Sequence, residues 1–534
     1  MSHAKTPLIR RTAILGTLLT ASLLAPGLAH GPTHAAGTTT LTVALNPEPD
    51  TLDPQKTGTA VTSSIAAYFG DTLVALSPKN QIVPDLAKSW TVSKDGLTYA
   101  FNLRQDVSFQ DGTPLNAAAY VATFKRLLDP ATKAAVELGQ LPSIAAVTET
   151  GKYSFSIKIK APSAFFLYNL SDSNFQPLSP TALKSEGAGF GRKPVSTGPW
   201  QVQSWTTGQQ IVLVKNPNYK WGPSFVHHGP ANIDKLVFRV LLNAASATAA
   251  FQNGEVDQLL LDSASVARIQ SAGKYQILKQ LNPGVRELEL NVTQPPFDDI
   301  RVRKALNYAI NKDAVVKVAI NGLGVPVYGV LSPAMYGYWP GIKSYGYSYN
   351  PQKALALLAQ AGYTKNSSGQ LAKNGKPLSF TLLSNPIPFF KLASLVIQDQ
   401  LKQIGITVNI ETQQFATEIA SIHKGTAQAD VMGYNYPHPG IFYIWFHSSQ
   451  QHAGFNDSFY ADPKLDALIV KMQSTVDTAA RNALVVQLEK TVSDQALWVP
   501  LFDEYVYTAF QPRVKGPVLD PRGRVILNDV TVGQ

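Results

Sequence analysis

The stretch LTYAFNL, residues 97–103, alternates apolar and polar side chains with the two-residue period of a half-buried strand. Lys94-Asp95-Gly96 just before it has turn chemistry, and Gln110-Asp111-Gly112 marks a second turn after Val107–Phe109. Asn116 then offers a cap oxygen to a helix running through Leu128, which Asp129-Pro130 stops. Tyr153–Ile159 (YSFSIKI) returns to the strand period. Strand, helix and strand in such quick succession predict mixed α/β structure with short strands.

The same reading extends in both directions. Upstream, Thr40–Leu45 (TLTVAL) alternates like a strand. Asn46–Pro54 (NPEPDTLDP) cannot continue it, because three prolines lack ladder donors, so a loop leaves the strand's end. A helix is expected over Thr62–Leu73. Downstream, Asn350 supplies a cap oxygen, Pro351 occupies the first helical turn where its missing N–H costs nothing, and Gly362 ends the helix. Single helices are also expected over Val302–Ile320 and Leu392–Ile404. No repeat of solenoid length is present.

The 534 residues suggest about three or four domains. Hydrophobic residues make up 45%, enough for a real core, while charged residues make up only 15% against a usual ~25%. The formal net charge is +10; residues 1–36 hold Lys5, Arg10 and Arg11 and no acid, so without them it is 10 − 3 = +7. The cations are dispersed, the tightest group being Arg301, Arg303 and Lys304, which argues against a nucleic-acid partner. Few carboxylates also suit an acidic medium, where fewer buried acids have to be protonated. The chain has no cysteine, which excludes disulfides, thiolate metal sites, a cysteine nucleophile and a lipidated amino-terminal Cys.

Residues 1–36 read as a cleaved secretory signal: a basic start, an apolar core from Ala13 to Leu24, then Pro26-Gly27 and small residues. Ala29, Ala35 and Ala36 are alternative cleavage points, and Arg10-Arg11 leaves twin-arginine export open. The apolar run is shorter than the ~20 residues that span a bilayer. The expected location is therefore periplasmic or at the cell surface.

Several segments, in order, resemble the family-5 extracellular solute-binding proteins, which include dipeptide-, oligopeptide- and nickel-binding receptors. They are Thr51–Pro54, Pro84–Trp90 (PDLAKSW), Asp95–Leu103, Val107–Pro114 (VSFQDGTP), Ser196–Trp200 (STGPW) and Asn253–Asp257 (NGEVD). Pro296–Lys312 (PFDDIRVRKALNYAINK), Tyr349–Tyr363 (YNPQKALALLAQAGY) and Val499–Leu501 (VPL) complete the set, which spans about residues 40 to 510. The resemblance implies a type II periplasmic-binding-protein fold, an α/β architecture of mixed sheets with flanking helices and a two-strand hinge. One lobe would combine residues 37–78, 195–284 and 503–534, with an inserted region at 79–194, and the other lobe would be 285–502. It also implies a monomeric receptor of an ABC importer. Such a receptor binds a peptide or peptide-like solute between its lobes and hands it to membrane permease subunits, with no cofactor.

In the peptide receptors of that family a carboxylate holds the ligand's ammonium, within a segment resembling Gly-Trp, an Asp and Asp-Pro. Here the matching stretch is Gly433–Pro439 (GYNYPHP), with Tyr434 in the Trp position, Asn435 near the missing Asp, and His438 where the Asp of Asp-Pro would be. A charge-assisted hydrogen bond is worth ~1.5–3 kcal/mol, so its loss implies either a substitute acid or a different solute. Glu48 after the first strand and Asp503 or Glu504 after Val-Pro-Leu are the candidate substitutes. An oligosaccharide, opine or metal chelate is the alternative ligand. The candidate ligand contacts are Glu48, Tyr434, Asn435, Tyr436, His438, Trp445 and Glu504. Six aromatics fall in residues 434–446, dense enough to line an apolar pocket, although Phe442 and Trp445 also fit a core.

A secreted hydrolase is the rival class. No Gly-x-Ser-x-Gly elbow, His-Glu-x-x-His helix or P-loop occurs in the sequence, and Gly187–Gly191 reads as a loop. Asp298 and Asp299 are adjacent, so they point apart and suit a helix start. His227-His228 lacks a third ligand at metal spacing. A sensory or chaperone-like relative with the same fold remains open at this point.

Overall fold

The computed structural model describes residues 38–533 apart from Gly58, 135–140, Pro142 and Ala453. The signal-peptide reading of residues 1–36 lies outside the described residues. The alternating stretch forms the strand Thr98–Leu103 and turns Tyr99, Phe101 and Leu103 inward. It pairs antiparallel with Ala87–Val92 and with Ser154–Ile159, which in turn pairs with Ile144–Gly151. Asn116 caps the helix Ala117–Leu128 through a 3.0 Å bond from the Ala119 N–H. That helix lays Tyr120 on Phe155, ring centroids 5.3 Å apart. Each fully buried aromatic of this core contributes roughly 2–3 kcal/mol.

A twelve-stranded sheet organises most of the remaining chain. At one end lie Thr407–Thr412, Ser379–Ser384, Ala429–Asn435 and Gly284–Leu290. At the other lie Gln258–Leu261, Thr40–Leu45, Lys235–Val240, Gln210–Lys215 and Trp200–Thr206. The 13-residue strand Trp498–Phe510 joins them. Its first residues pair with Gly284–Leu290, and Tyr505–Phe510 pairs with Gln276–Leu281. Gln276–Leu281 itself runs through Asn282-Pro283 into Gly284–Leu290, so the chain passes between the two halves twice. A register shift between Arg286 and Glu287 falls beside these crossings.

The half containing Gly284–Leu290 has two unlike faces. Leu288, Leu290, Val431, Val499 and Leu501 pack into one apolar cluster with the helices Ile300–Ala309 and Pro388–Gln403. Cross-strand pairing puts Glu287 opposite Met432, Glu289 opposite Asp430 and Val285 opposite Tyr434, all on the other face.

Several expected elements shift. The single helix expected over Val302–Ile320 is two helices, Ile300–Ala309 and Lys312–Ala319. Ile310 is extended, and the Asn311 side chain accepts from the Ala314 N–H, so a residue read as helix interior caps a new helix. Asp299 caps the first of the pair, as a helix start requires. The helix expected over Thr62–Leu73 is Ala60–Phe69, and the one expected over Leu392–Ile404 is Pro388–Gln403, with Pro in its first turn. Gly187–Arg192 is a 3-10 turn. The helix after Asn350 is Pro351–Gln360, with Asn350 accepting from the Lys353 N–H at 2.9 Å.

Candidate ligand-binding cleft

The strand Ala429–Asn435 ends beside the first crossing of the chain. The Tyr436 N–H donates to the Pro283 carbonyl at 2.7 Å, and the Asn282 side chain donates to Asn435 Oδ1 at 2.9 Å. His438 follows, 2% exposed and stacked on Phe165 at 4.1 Å. Its Nδ1 accepts the Gly440 N–H at 3.1 Å, which leaves Nε2 to donate to Asn169 Oδ1 at 3.0 Å. Burial, together with Arg522 and Arg481, lowers His438 to about 3, so it is neutral in all but strong acid.

These residues wall a cavity of about 430 Å³. Thr57, Thr59 and Ser63 bring hydroxyls to it, Asn174, Asn282 and Asn435 bring amides, and Tyr168 and Tyr436 bring rings. Its charged side chains are Asp172, Arg522 and Arg524. The arginines project from the turn between the short strands Val518–Leu519 and Val525–Ile526. Arg524 donates to Asp172 at 3.1 Å and to Ser173 Oγ at 3.1 Å; Arg522 donates to the Tyr168 carbonyl at 3.1 Å. Burial alone would raise the Asp172 carboxyl, but Arg524 and Arg522 outweigh it and hold it below its ordinary range.

A second cavity, about 490 Å³, shares Ala60 and Ser64 with the first. It opens at the carboxyl ends of three adjacent parallel strands, Thr40–Leu45, Lys235–Val240 and Gln258–Leu261. In open α/β sheets ligands bind in the crevice outside such ends. The wall is mostly apolar, with Leu45, Pro47, Val61, Leu241, Leu259 and Leu260, the last 59% exposed, beside the polar Asn46, Ser64, Thr248 and Asp262.

The expected contacts divide. Asn435, Tyr436 and His438 lie on the polar wall. Glu504 stands just behind it, accepting from Asn282 at 3.0 Å and from Arg286, whose guanidinium also reaches Asn435 Oδ1 at 2.9 Å. Glu48 lies on neither wall; it accepts from Trp205 Nε1 at 2.7 Å and from the Gly208 N–H. Trp445 is 1% exposed, packed edge-to-face on Trp498 at 4.7 Å within an apolar core. Tyr434 packs between Trp445 and Phe455. Asp503 is 1% exposed, and burial raises its carboxyl to about 8. The sequence reading missed Arg522, Arg524 and Asp172, whose only local signal is the turn DPRGR at 520–524. His227 pairs with Asp529, and among the described residues no group of three His, Cys, Asp or Glu could hold a metal ion.

The profile of the bacterial extracellular solute-binding proteins, family 5 (middle region), matches residues 81–454. The chain belongs to this family. It is 29% identical over 505 residues to the glutathione-binding protein GsiB of Escherichia coli strain K12, covering 89% of this chain and 91% of that one. HbpA2 of Haemophilus parasuis superposes with a TM-score of 0.82 at 23% identity, over 93% of this chain and 100% of that one. The oligopeptide-binding protein AppA of Bacillus subtilis, solved with a nonapeptide, superposes at 0.73 and 24% identity over 93% and 100% of the respective chains. The fold is that of the type II periplasmic binding proteins, with two lobes joined by the two crossing strands. Among the described residues no helix is long and apolar enough to cross a membrane.

Proposed function

We propose that the chain is the exported receptor of a peptide-type ABC importer, closing its lobes around a peptide or peptide-like solute and delivering it to the permease. The observation that carries this reading is the meeting of a polar and an apolar cavity beside the crossing strands. A ligand bridging both lobes favours the closed state by its extra contacts there. On the polar wall Arg522 and Arg524 face Asp172, and Asp520 also pairs with Arg524 at 3.4 Å, so two cations meet two carboxylates, with His438 neutral. The guanidinium N–H donors of the two arginines suit a ligand carboxylate. The apolar cavity suits a side chain of the same ligand.

In this reading the lobes comprise residues 37–78, 195–284 and 503–534 on one side and 285–502 on the other, with 79–194 inserted. Separate apolar cores around Phe101, Trp200 and Leu288 support the division. Residues 1–36 are a signal removed on export, the receptor is a monomer, and it makes and breaks no covalent bond. The contacts proposed for the ligand are Asn435, Tyr436 and His438, with Arg522, Arg524 and Leu260 added; Glu48 and Trp445 are set aside.

A thermal-shift screen with glutathione, di- to hexapeptides, oligosaccharides and nickel chelates tests this. A ligand at 100 times its Kd adds ~2.7 kcal/mol of stability. Peptides bearing a free carboxylate are expected to raise Tm and their amides to raise it less. A shift with sugars alone overturns the ligand class, and no shift with any compound overturns the receptor reading.

A further inference from the structure

The sheet face opposite the apolar cluster is unusual. Glu287 and Glu289 of Gly284–Leu290, Asp430 of Ala429–Asn435, Asp457, and Glu418 of the helix Phe415–His423 are all buried, none more than 4% exposed. No hydrogen-bond partner reaches either oxygen of Glu287, Glu289 or Asp457, nor Oδ2 of Asp430, unless a protonated carboxyl serves its neighbour. Glu287 and Glu289 are close enough to do that, which requires one of them to carry a proton.

The other charged and titratable groups around this face do not neutralise it. Burial outweighs the charge of Arg286, which lowers Glu287; the Arg286 side chain projects to the opposite face, where its guanidinium donates to Glu504 and Asn435. Glu504 adds negative potential at Glu287. His423 Nε2 lies 3.9 Å from Asp457, but burial lowers its basicity. Tyr434 is held in its neutral form by burial and by the surrounding acids.

An ionised carboxylate removed from water without a partner is strongly unfavourable, so such a group takes up a proton instead. We infer that this carboxyl cluster is a proton-held packing device: its side chains stay neutral while the protein is folded, and the fold is most stable in acid. As the medium rises toward neutrality the sheet loses stability.

The sign follows from linkage. The unfolded chain sheds these protons near pH ~4, the ordinary range of Asp and Glu. In the folded chain burial raises all five, Asp457 and Glu418 to about 7 and the others well above their ordinary values. Between those limits the folded state binds more protons, so stability falls as pH rises.

The test is thermal unfolding of the full chain from pH 3.5 to 8, for the wild type, Glu289→Gln and Asp457→Asn. The wild type is expected to melt highest in acid. The variants are expected to melt within about 1 °C of it at pH 4 and at least about 3 °C above it at pH 7.5. A wild-type Tm that rises toward neutrality, or variants that lower Tm equally at every pH, overturn the inference. If the variants do not fold, infrared spectra of the wild type decide: a protonated carboxyl C=O band at pH 6.5 that vanishes on unfolding supports it, and no such band overturns it. Neither readout involves a ligand, so this inference and the proposed function stand or fall separately.

Discussion

Three acids, Asp53, Asp172 and Asp257, each hydrogen-bond an arginine: Arg126, Arg524 and Arg513. On the sheet face around Gly284–Leu290, Glu287, Glu289, Asp430 and Asp457 hydrogen-bond none, although none is more than 4% exposed, and Asp85 and Asp503 elsewhere are likewise buried without an arginine. The paired acids fix chain segments that are remote in sequence. Asp53 ties the loop after the first strand to the helix Ala117–Leu128, and Asp172 ties the 166–175 segment to the carboxy-terminal turn that walls the cleft. The unpaired acids fix nothing by charge; they pack only when neutral. One protein thus contains charge that positions its site and charge that it must suppress.

Breaking a pair is expected to have the largest effect. Arg126→Ala leaves the Asp53 carboxylate buried with the Gln55 N–H donating to it, at a cost of about 3 kcal/mol in urea unfolding at pH 7. A loss under about 1 kcal/mol would mean that the pair is a solvated contact. Neutralising an unpaired acid is expected to act with the opposite sign. Burial raises Glu287, so its unfavourable contribution grows as pH rises through the neutral range. Glu287→Gln is expected to gain roughly 1–2 kcal/mol at pH 7.5 and nothing at pH 4. A loss at pH 7.5 would erase the contrast between paired and unpaired acids. The smallest effect belongs to the cleft: Arg524→Gln is expected to weaken binding of a carboxylate-bearing peptide about 10-fold, and of its amide less. Equal losses for both would show that Arg524 only holds Asp172 in place.

Features coded within a few residues were legible in the sequence. Alternation gave Thr98–Leu103 to the residue or nearly so, and Asn116 and Asn350 cap the helices expected of them. Asn311 misled because a lone amide inside an amphipathic run looks like helix surface until its side chain bonds the Ala314 N–H. At the cleft the segment after Gly433 could be read, and it brings Asn435, Tyr436 and His438 to one wall. Partners far along the chain could not be. Trp205 engages Glu48 across 157 positions, and Trp498 draws Trp445 into the core. Asp172 meets Arg524 across 352 positions, so neither residue signals the site alone.

In the proposed function a solute is held between two lobes at the Asn435–Tyr436 wall. Calorimetric titration of the full chain with glutathione, dipeptides and a nonapeptide, repeated on Tyr436→Ala, tests that most directly. Saturable one-to-one binding of at least one compound, weakened about 10-fold or more in the variant at unchanged Tm, is the predicted result. Saturable binding that Tyr436→Ala leaves untouched, or no binding of any of them, would contradict it.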